Sequence, residues 1–114
     1  MIKRHDSSAR LSKAVTANGF VFLSGLVARD PGLDVRGQTL DILEQIDELL
    51  ARTGTDKTRL VSVNIWMKDI AQFAEMNGAW ESWVAPGAPP ARATVQSQLA
   101  NDKLLVEIMA QAVL

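Results

Sequence analysis

Cysteine and tyrosine are absent from the 114 residues, and His5 is the only histidine. Without cysteine there can be no disulfide, no CxxC redox chemistry and no thiol nucleophile, and with a single histidine a Cys/His zinc site is excluded. A Ser-His-Asp triad would have to use His5, which lies in an N-terminal segment read here as a mobile terminus. An excess of one charge is missing too: 12 Lys plus Arg stand against 13 Asp plus Glu, a net charge of -1. So weak a field gathers neither nucleic acid nor an anionic membrane, and a small-molecule partner fits better. No run reaches the roughly 18 apolar residues of a spanning helix, and the basic start Met1-Ile-Lys-Arg-His-Asp-Ser-Ser8 has no apolar stretch behind it. The expectation is a soluble, cytoplasmic protein with no membrane role.

What is present is enough for one domain, residues 1–114, because no Gly/Ser linker divides the chain and 47% of it is hydrophobic. A domain this short buries only about two-thirds of its unfolded surface, so association would add stability.

Asn18-Gly19 is a two-residue hairpin signal between Lys13–Ala17 and the β-prone run Phe20-Val-Phe-Leu-Ser-Gly-Leu26. Arg29 to Asp34 then reads as a loop, because Asp30-Pro-Gly32 supplies turn geometry. From Gln38 to Arg52, Ile42, Leu43, Ile46, Leu49 and Leu50 recur at helical spacing, with a C-terminal cap at Thr53-Gly54. Leu60–Lys68 alternates as a strand, and a second helix runs from an Asp69/Gln72 cap pair to Pro86, with Phe73, Met76, Trp80, Trp83 and Val84 on one face. After the stiff loop Pro86–Ala91, Ala93–Leu99 and Leu104–Val113 read as strands joined around Asn101-Asp102.

The order β-β-α-β-α-β-β is an α+β layer with two helices on one face of a mixed sheet. In the last strand Leu104, Val106, Ile108, Ala110 and Ala112 point one way, and Leu105, Glu107, Met109, Gln111 and Val113 the other, so both faces are largely apolar. Two helices cover one face only. The other, with Trp66, is expected to be buried against further copies of the chain.

Gly25, Gly32 and Gly37 form no phosphate-binding pattern, and Asp41, Glu44, Asp47 and Glu48 read as the solvated side of the first helix, with no metal site. Trp80 and Trp83, with Phe73 and Met76 on the same face, read as core rather than as a ligand-stacking surface. Two charges stand out. Arg92 follows the proline-stiffened loop into an otherwise uncharged strand, where its planar fork of donors suits either a ligand carboxylate or a structural salt bridge. Glu107 is a lone charge in an apolar strand, so it either pairs with a cation or serves proton chemistry.

Phe20-Val-Phe-Leu-Ser-Gly25, Gln38-Thr39, Asp69 to Phe73 with Met76-Asn77, Pro90-Ala-Arg92 and Val106-Glu-Ile108 resemble, in order and spacing, the YjgF or Rid family of reactive-intermediate deaminases. The segments Asn77–Val84 and Arg92–Leu99 look most like its YoaB-like subgroup. The resemblance implies a chorismate-mutase-like fold and a homotrimer with clefts between subunits. It implies no cofactor and no metal, and a small carboxylate-bearing imine, enamine or keto acid as partner. It makes Arg92 the carboxylate clamp and Glu107 the group that activates water, and it places Ser24, Gly25, Asn77 and Thr94 at or beside the cleft. Thr94 stands where RidA proteins usually have cysteine, Leu11 where they have tyrosine, and Ala100-Asn101 replaces the family's Leu-Pro. The implied reaction is hydrolysis of 2-imino acids to 2-keto acids and ammonia, with a non-catalytic keto-acid-binding module as the alternative. Nucleic-acid cleavage, also associated with the family, has no basic cluster here to support it.

Overall fold

A computed structural model describes residues 1–114. Asn18 and Gly19 both take positive φ, 51° and 81°, which is the turn geometry that follows the natural twist of a hairpin. They join β2 (Ser12–Ala17) to β3 (Phe20–Leu23). The run from Phe20 to Leu26 is not one strand, however. It breaks at Ser24-Gly25 and resumes as the short β4 (Leu26–Val27). The N-terminus also departs from expectation. Lys3–Ser7 is a strand, β1, in which His5 pairs with Ala14, so His5 is held in place rather than mobile. Nothing apolar alternates there, and the segment is fixed by main-chain pairing and by the Arg52–Asp6 ion pair.

The first helix, α1 (Val35–Thr53), starts three residues before the expected Gln38, because the Asp34 side chain accepts a hydrogen bond from the Gly37 N–H at 2.8 Å. It ends as expected at Gly54, left-handed with φ 91°. β5 (Leu60–Met67) leads to a 3-10 turn at Ile70–Gln72 and then to α2 (Phe73–Trp83). Asp69 caps the turn, accepting from the Ala71 N–H at 2.9 Å, and not the helix itself. β6 (Ala91–Gln96) begins two residues earlier than expected, so Arg92 lies inside it. β7 (Val106–Val113) begins two residues later than expected.

The strands form one sheet in the order β1-β2-β3-β7-β5-β6, with β4 also paired to β7. β5 and β6 are parallel, as the α2 crossover between them requires, and every other pairing is antiparallel. The strands around Asn101-Asp102 are therefore not a hairpin, since β5 lies between them.

Both helices lie on one face of the sheet. Ile42, Leu43, Ile46 and Leu50 of α1 and Met76 and Trp80 of α2 pack with Val21, Ile65, Met67, Val106, Ile108 and Ala112. Burying each such large side chain contributes about 1.5–3 kcal/mol. Helix and sheet make only two layers, and the molecule is 20 Å across its thinnest direction. On the other face Trp66, Leu105, Met109 and Val113 are half-buried, and Phe20 and Phe22 are about 40% exposed, a level at which apolar rings favour a partner surface. No helix is long and apolar enough to cross a membrane.

Candidate active site

Arg92 sits on the edge strand of the sheet, half-buried, with α2 packed beside it. Its Nη1 donates to Asn77 Oδ1 at 2.8 Å, and its guanidinium carbon lies 5.3 Å from the centre of the Trp80 ring and 5.7 Å from that of Phe73. Phe73, Asn77 and Trp80 follow one another at four and three residues, so one helix face delivers a neutral acceptor and two aromatic faces to the same cation. The Gln96 side chain accepts from the Ile70 N–H at 2.9 Å and ties the turn before α2 to the end of β6. No carboxylate of the chain forms an ion pair with Arg92. An arginine fixed in place but lacking an anionic partner retains a free fork for a carboxylate. Thr94, two residues along and on the same face, has its Oγ1 buried without a hydrogen-bond partner.

Glu107 belongs to a second cluster. Between the pairs Phe22–Gln111 and Leu26–Ile108, four steps along one strand match three along β7, so Ser24-Gly25 carries an extra residue. That bulge brings the Gly25 backbone under the Glu107 carboxylate: a Cβ at position 25 would fall well inside van der Waals contact of Oε2. Only glycine leaves that space. Ser24 is half-buried beside it, its backbone N–H bonded to the Lys13 carbonyl at 2.9 Å. Upstream, the buried Gln38 amide donates to the carbonyls of Leu33 and Lys103 at 3.0 Å and accepts from the Leu105 N–H at 2.9 Å, which fixes the entry into β7. Glu107, like Arg92, has no ion-pair partner in the chain.

The two clusters are not brought together within one chain. Arg92 is in register with Val63, which faces the helices, and Glu107 with Trp66, which faces away from them. Asn77 and Thr94 belong with Arg92; Ser24 and Gly25 belong with Glu107. An Arg92–Glu107 salt bridge within the chain, one of the two readings open for Arg92, is thereby ruled out.

A shallow cleft of about 230 Å³ runs past Arg92 between β5 and β6, bounded by Ser62, Val63, Asn64, Ala91 and Ala93. Two larger hollows, of about 350 and 390 Å³, lie beside His5 and beside Asn101 and include neither Arg92 nor Glu107. Their size carries little weight for the chemistry, because Arg92 and Glu107 lie elsewhere. The carboxylates of α1 are more than a solvated face. Asp47 accepts from Trp83 Nε1 at 2.9 Å, Glu48 pairs with Arg29, and Asp41 accepts from the Asp30 N–H at 3.1 Å and the Gln45 amide at 3.0 Å. Burial acts to raise the Asp41 pKa, but the Asp30 N–H, the Gln45 amide and the Arg29 backbone and charge together hold it below the ordinary carboxylate value. The roles of Phe73 and Trp80 at Arg92 were not read from the sequence, where both rings counted as core, although their spacing with Asn77 carried the signal.

The chain matches the endoribonuclease L-PSP family over residues 1–114. It is 38% identical over 112 residues to a RutC family protein of Haemophilus ducreyi, covering 98% of this chain and 96% of that one. It is 39% identical over 107 residues to the RutC family protein YoaB of Escherichia coli K12, covering 94% and 93%. A crystal structure of a YjgF family member from Neisseria meningitidis superposes with a TM-score of 0.97 at 44% identity, covering 99% of this chain and 94% of that one. Two helices on one face of a mixed sheet is the chorismate-mutase-like arrangement these neighbours share. The chain therefore belongs to the YjgF/RutC family, the family of endoribonuclease L-PSP, with YoaB among its relatives.

Proposed function

We propose that the protein is an imine deaminase that hydrolyses 2-imino acids to 2-keto acids and ammonia in clefts between the subunits of a homotrimer. The observation that carries this reading is Arg92, rigidly held by Asn77, Trp80 and Phe73 and lacking any carboxylate partner. The apolar face with Phe20, Phe22, Trp66 and Met109 supplies the surface that a second copy would cover. Assembled head to tail in a ring, one protomer contributes the Arg92 cluster and its neighbour the Glu107 cluster to each cleft.

In that cleft the free N–H groups of Arg92 bind the substrate carboxylate. Glu107 takes a proton from water as its oxygen adds to the carbon of the protonated imine, giving a neutral tetrahedral carbinolamine. Transfer of that proton to the nitrogen lets the C–N bond break, ammonia leaves, and the remaining hydroxyl becomes the keto group once its proton is lost. Positioning and general acid–base transfer suffice, and no step requires a cofactor or a metal.

A second reading is favoured by the separation of the two clusters: carboxylate capture at Arg92 does not need Glu107, so the cleft would serve equally as a keto-acid-binding module. The deciding experiment generates 2-iminopropanoate or 2-iminobutanoate in situ with an amino-acid oxidase and follows ammonia release. Acceleration that is lost in Arg92→Ala and reduced about 100-fold or more in Glu107→Gln supports the deaminase. Binding of 2-oxobutanoate without any acceleration assigns the binding module instead.

A further inference from the structure

We infer that Glu81 is a positioning residue for carboxylate recognition, acting through the side chain of Asn77. The inference rests on the reading of Arg92 as the carboxylate clamp. Glu81 stands one helical turn after Asn77 on α2 and accepts from Asn77 Nδ2 at 3.1 Å, while Asn77 Oδ1 accepts from Arg92 Nη1 at 2.8 Å. An amide has a donor end and an acceptor end that a half-turn about its last bond exchanges. The Glu81 carboxylate only accepts and the Arg92 guanidinium only donates, so together they permit one orientation of Asn77. Without Glu81, the flipped amide, with its NH2 toward the guanidinium, is no longer opposed by a second contact. Arg92 would then lose its only side-chain acceptor, and with it the constraint that aims its remaining donors.

This role predicts an effect opposite in sign to simple electrostatics. Glu81 is an exposed negative charge one residue from Trp80, which itself packs on the Arg92 guanidinium, so removing it should by charge alone tighten the binding of an anion. As a positioning residue, its removal should weaken binding. One surface hydrogen bond of this kind is worth about a two- to tenfold change in affinity.

The test measures 2-oxobutanoate binding to the intact assembled protein by calorimetry, for the unaltered chain and for Glu81→Ala, Glu81→Gln, Glu81→Lys and Arg92→Ala. All three residues placed at position 81 are good helix formers on an exposed site, so the fold is retained, and circular dichroism checks this. Expected results are a Kd raised two- to tenfold in Glu81→Ala and no less in Glu81→Lys, despite its added positive charge. Glu81→Gln, whose amide can accept from Asn77 in its present orientation but can also turn and donate to the flipped one, should fall between the unaltered protein and Glu81→Ala. If turnover is measurable, KM should follow the same ranking while kcat holds. Unchanged or tighter binding in Glu81→Ala, with binding abolished in Arg92→Ala, overturns the role of Glu81 and leaves the clamp intact. Unchanged binding in Arg92→Ala overturns the clamp itself.

Discussion

Arg92 stands in register with Val63 and Glu107 with Trp66, three residues further along the same strand, and that odd spacing sends the two charged side chains to opposite faces of one sheet. Neither can neutralise the other within a protomer. An unpaired, partly desolvated charge is costly and is retained only where something outside the chain compensates it. For Arg92 the compensation inside the chain is limited to a neutral amide and two ring faces, which fix its direction without consuming its charge.

Glycine at position 25 makes a prediction that separates stability from turnover. Its φ is not in the left-handed region, so Gly25→Ala adds no backbone strain, and the restricted unfolded chain would raise stability by up to about 1 kcal/mol. The new methyl must nevertheless displace the Glu107 carboxylate. Deaminase activity should fall by about tenfold or more, with the melting temperature unchanged or slightly higher. Full activity in a well-folded Gly25→Ala protein would count against Glu107 acting from the position it occupies here.

Asn77→Asp keeps the size of the side chain but supplies Arg92 with the carboxylate partner it lacks. The internal anion would compete with the ligand, so at pH 7 the affinity for 2-oxobutanoate should fall by about tenfold or more. Arg92 lowers the pKa of that aspartate while Glu81, which loses the amide donor it accepts from and now faces a second carboxylate, raises it, so the lost affinity should return toward acid pH as the new carboxylate takes up its proton. Titrations from pH 7 downward test it, and a loss that is the same at every pH would point to disrupted packing instead.

Much of this was written plainly in the sequence. The period-two pattern of β5 and β7 showed both faces of the sheet, and the Asn18-Gly19 turn and the Gly54 cap sit where their chemistry put them. Arg92 and Glu107 stood out as solitary charges in apolar strands. Two things were not legible. β1 has no apolar alternation, because it is an edge strand held by main-chain pairing and by Arg52 on Asp6, so its sequence resembles a free tail. The separation of Arg92 from Glu107 depends on the register of three strands, set by β5 lying between β6 and β7, and one chain's local pattern carries no information on that order.

The Asp41 carboxylate gives a pH-dependent prediction for stability. Its folded pKa lies below the ordinary value of 3.8, so the ionised form is favoured by folding. That contribution is present in full above the unfolded pKa and disappears as the pH falls through the folded one. Asp41→Asn should therefore be less stable than the unaltered protein at pH 5 to 7, and the gap should close below about pH 4. Urea denaturation over this series reads the difference, and a gap independent of pH would mean that the hydrogen bonds to Asp30 and Gln45 matter and the charge does not.

The opposite-face geometry also predicts a mixing experiment. If each cleft takes Arg92 from one protomer and Glu107 from its neighbour, two inactive variants can restore one another. Arg92→Ala retains its Glu107 and Glu107→Gln retains its Arg92, so a mixed ring contains some interfaces at which both original residues meet. Random reassembly of equal amounts, after joint unfolding and refolding, should restore about a quarter of the clefts, because each of the two positions is filled correctly half the time. Activity should rise from the near-zero level of either variant to about that fraction of the unaltered protein, and the gain should appear only when subunits have exchanged. A site built within one protomer allows no such recovery, since every protomer in the mixture lacks one residue. Mixed rings that form, as shown by mass spectrometry, yet stay inactive would place both residues in a single subunit's site and rule out the shared cleft.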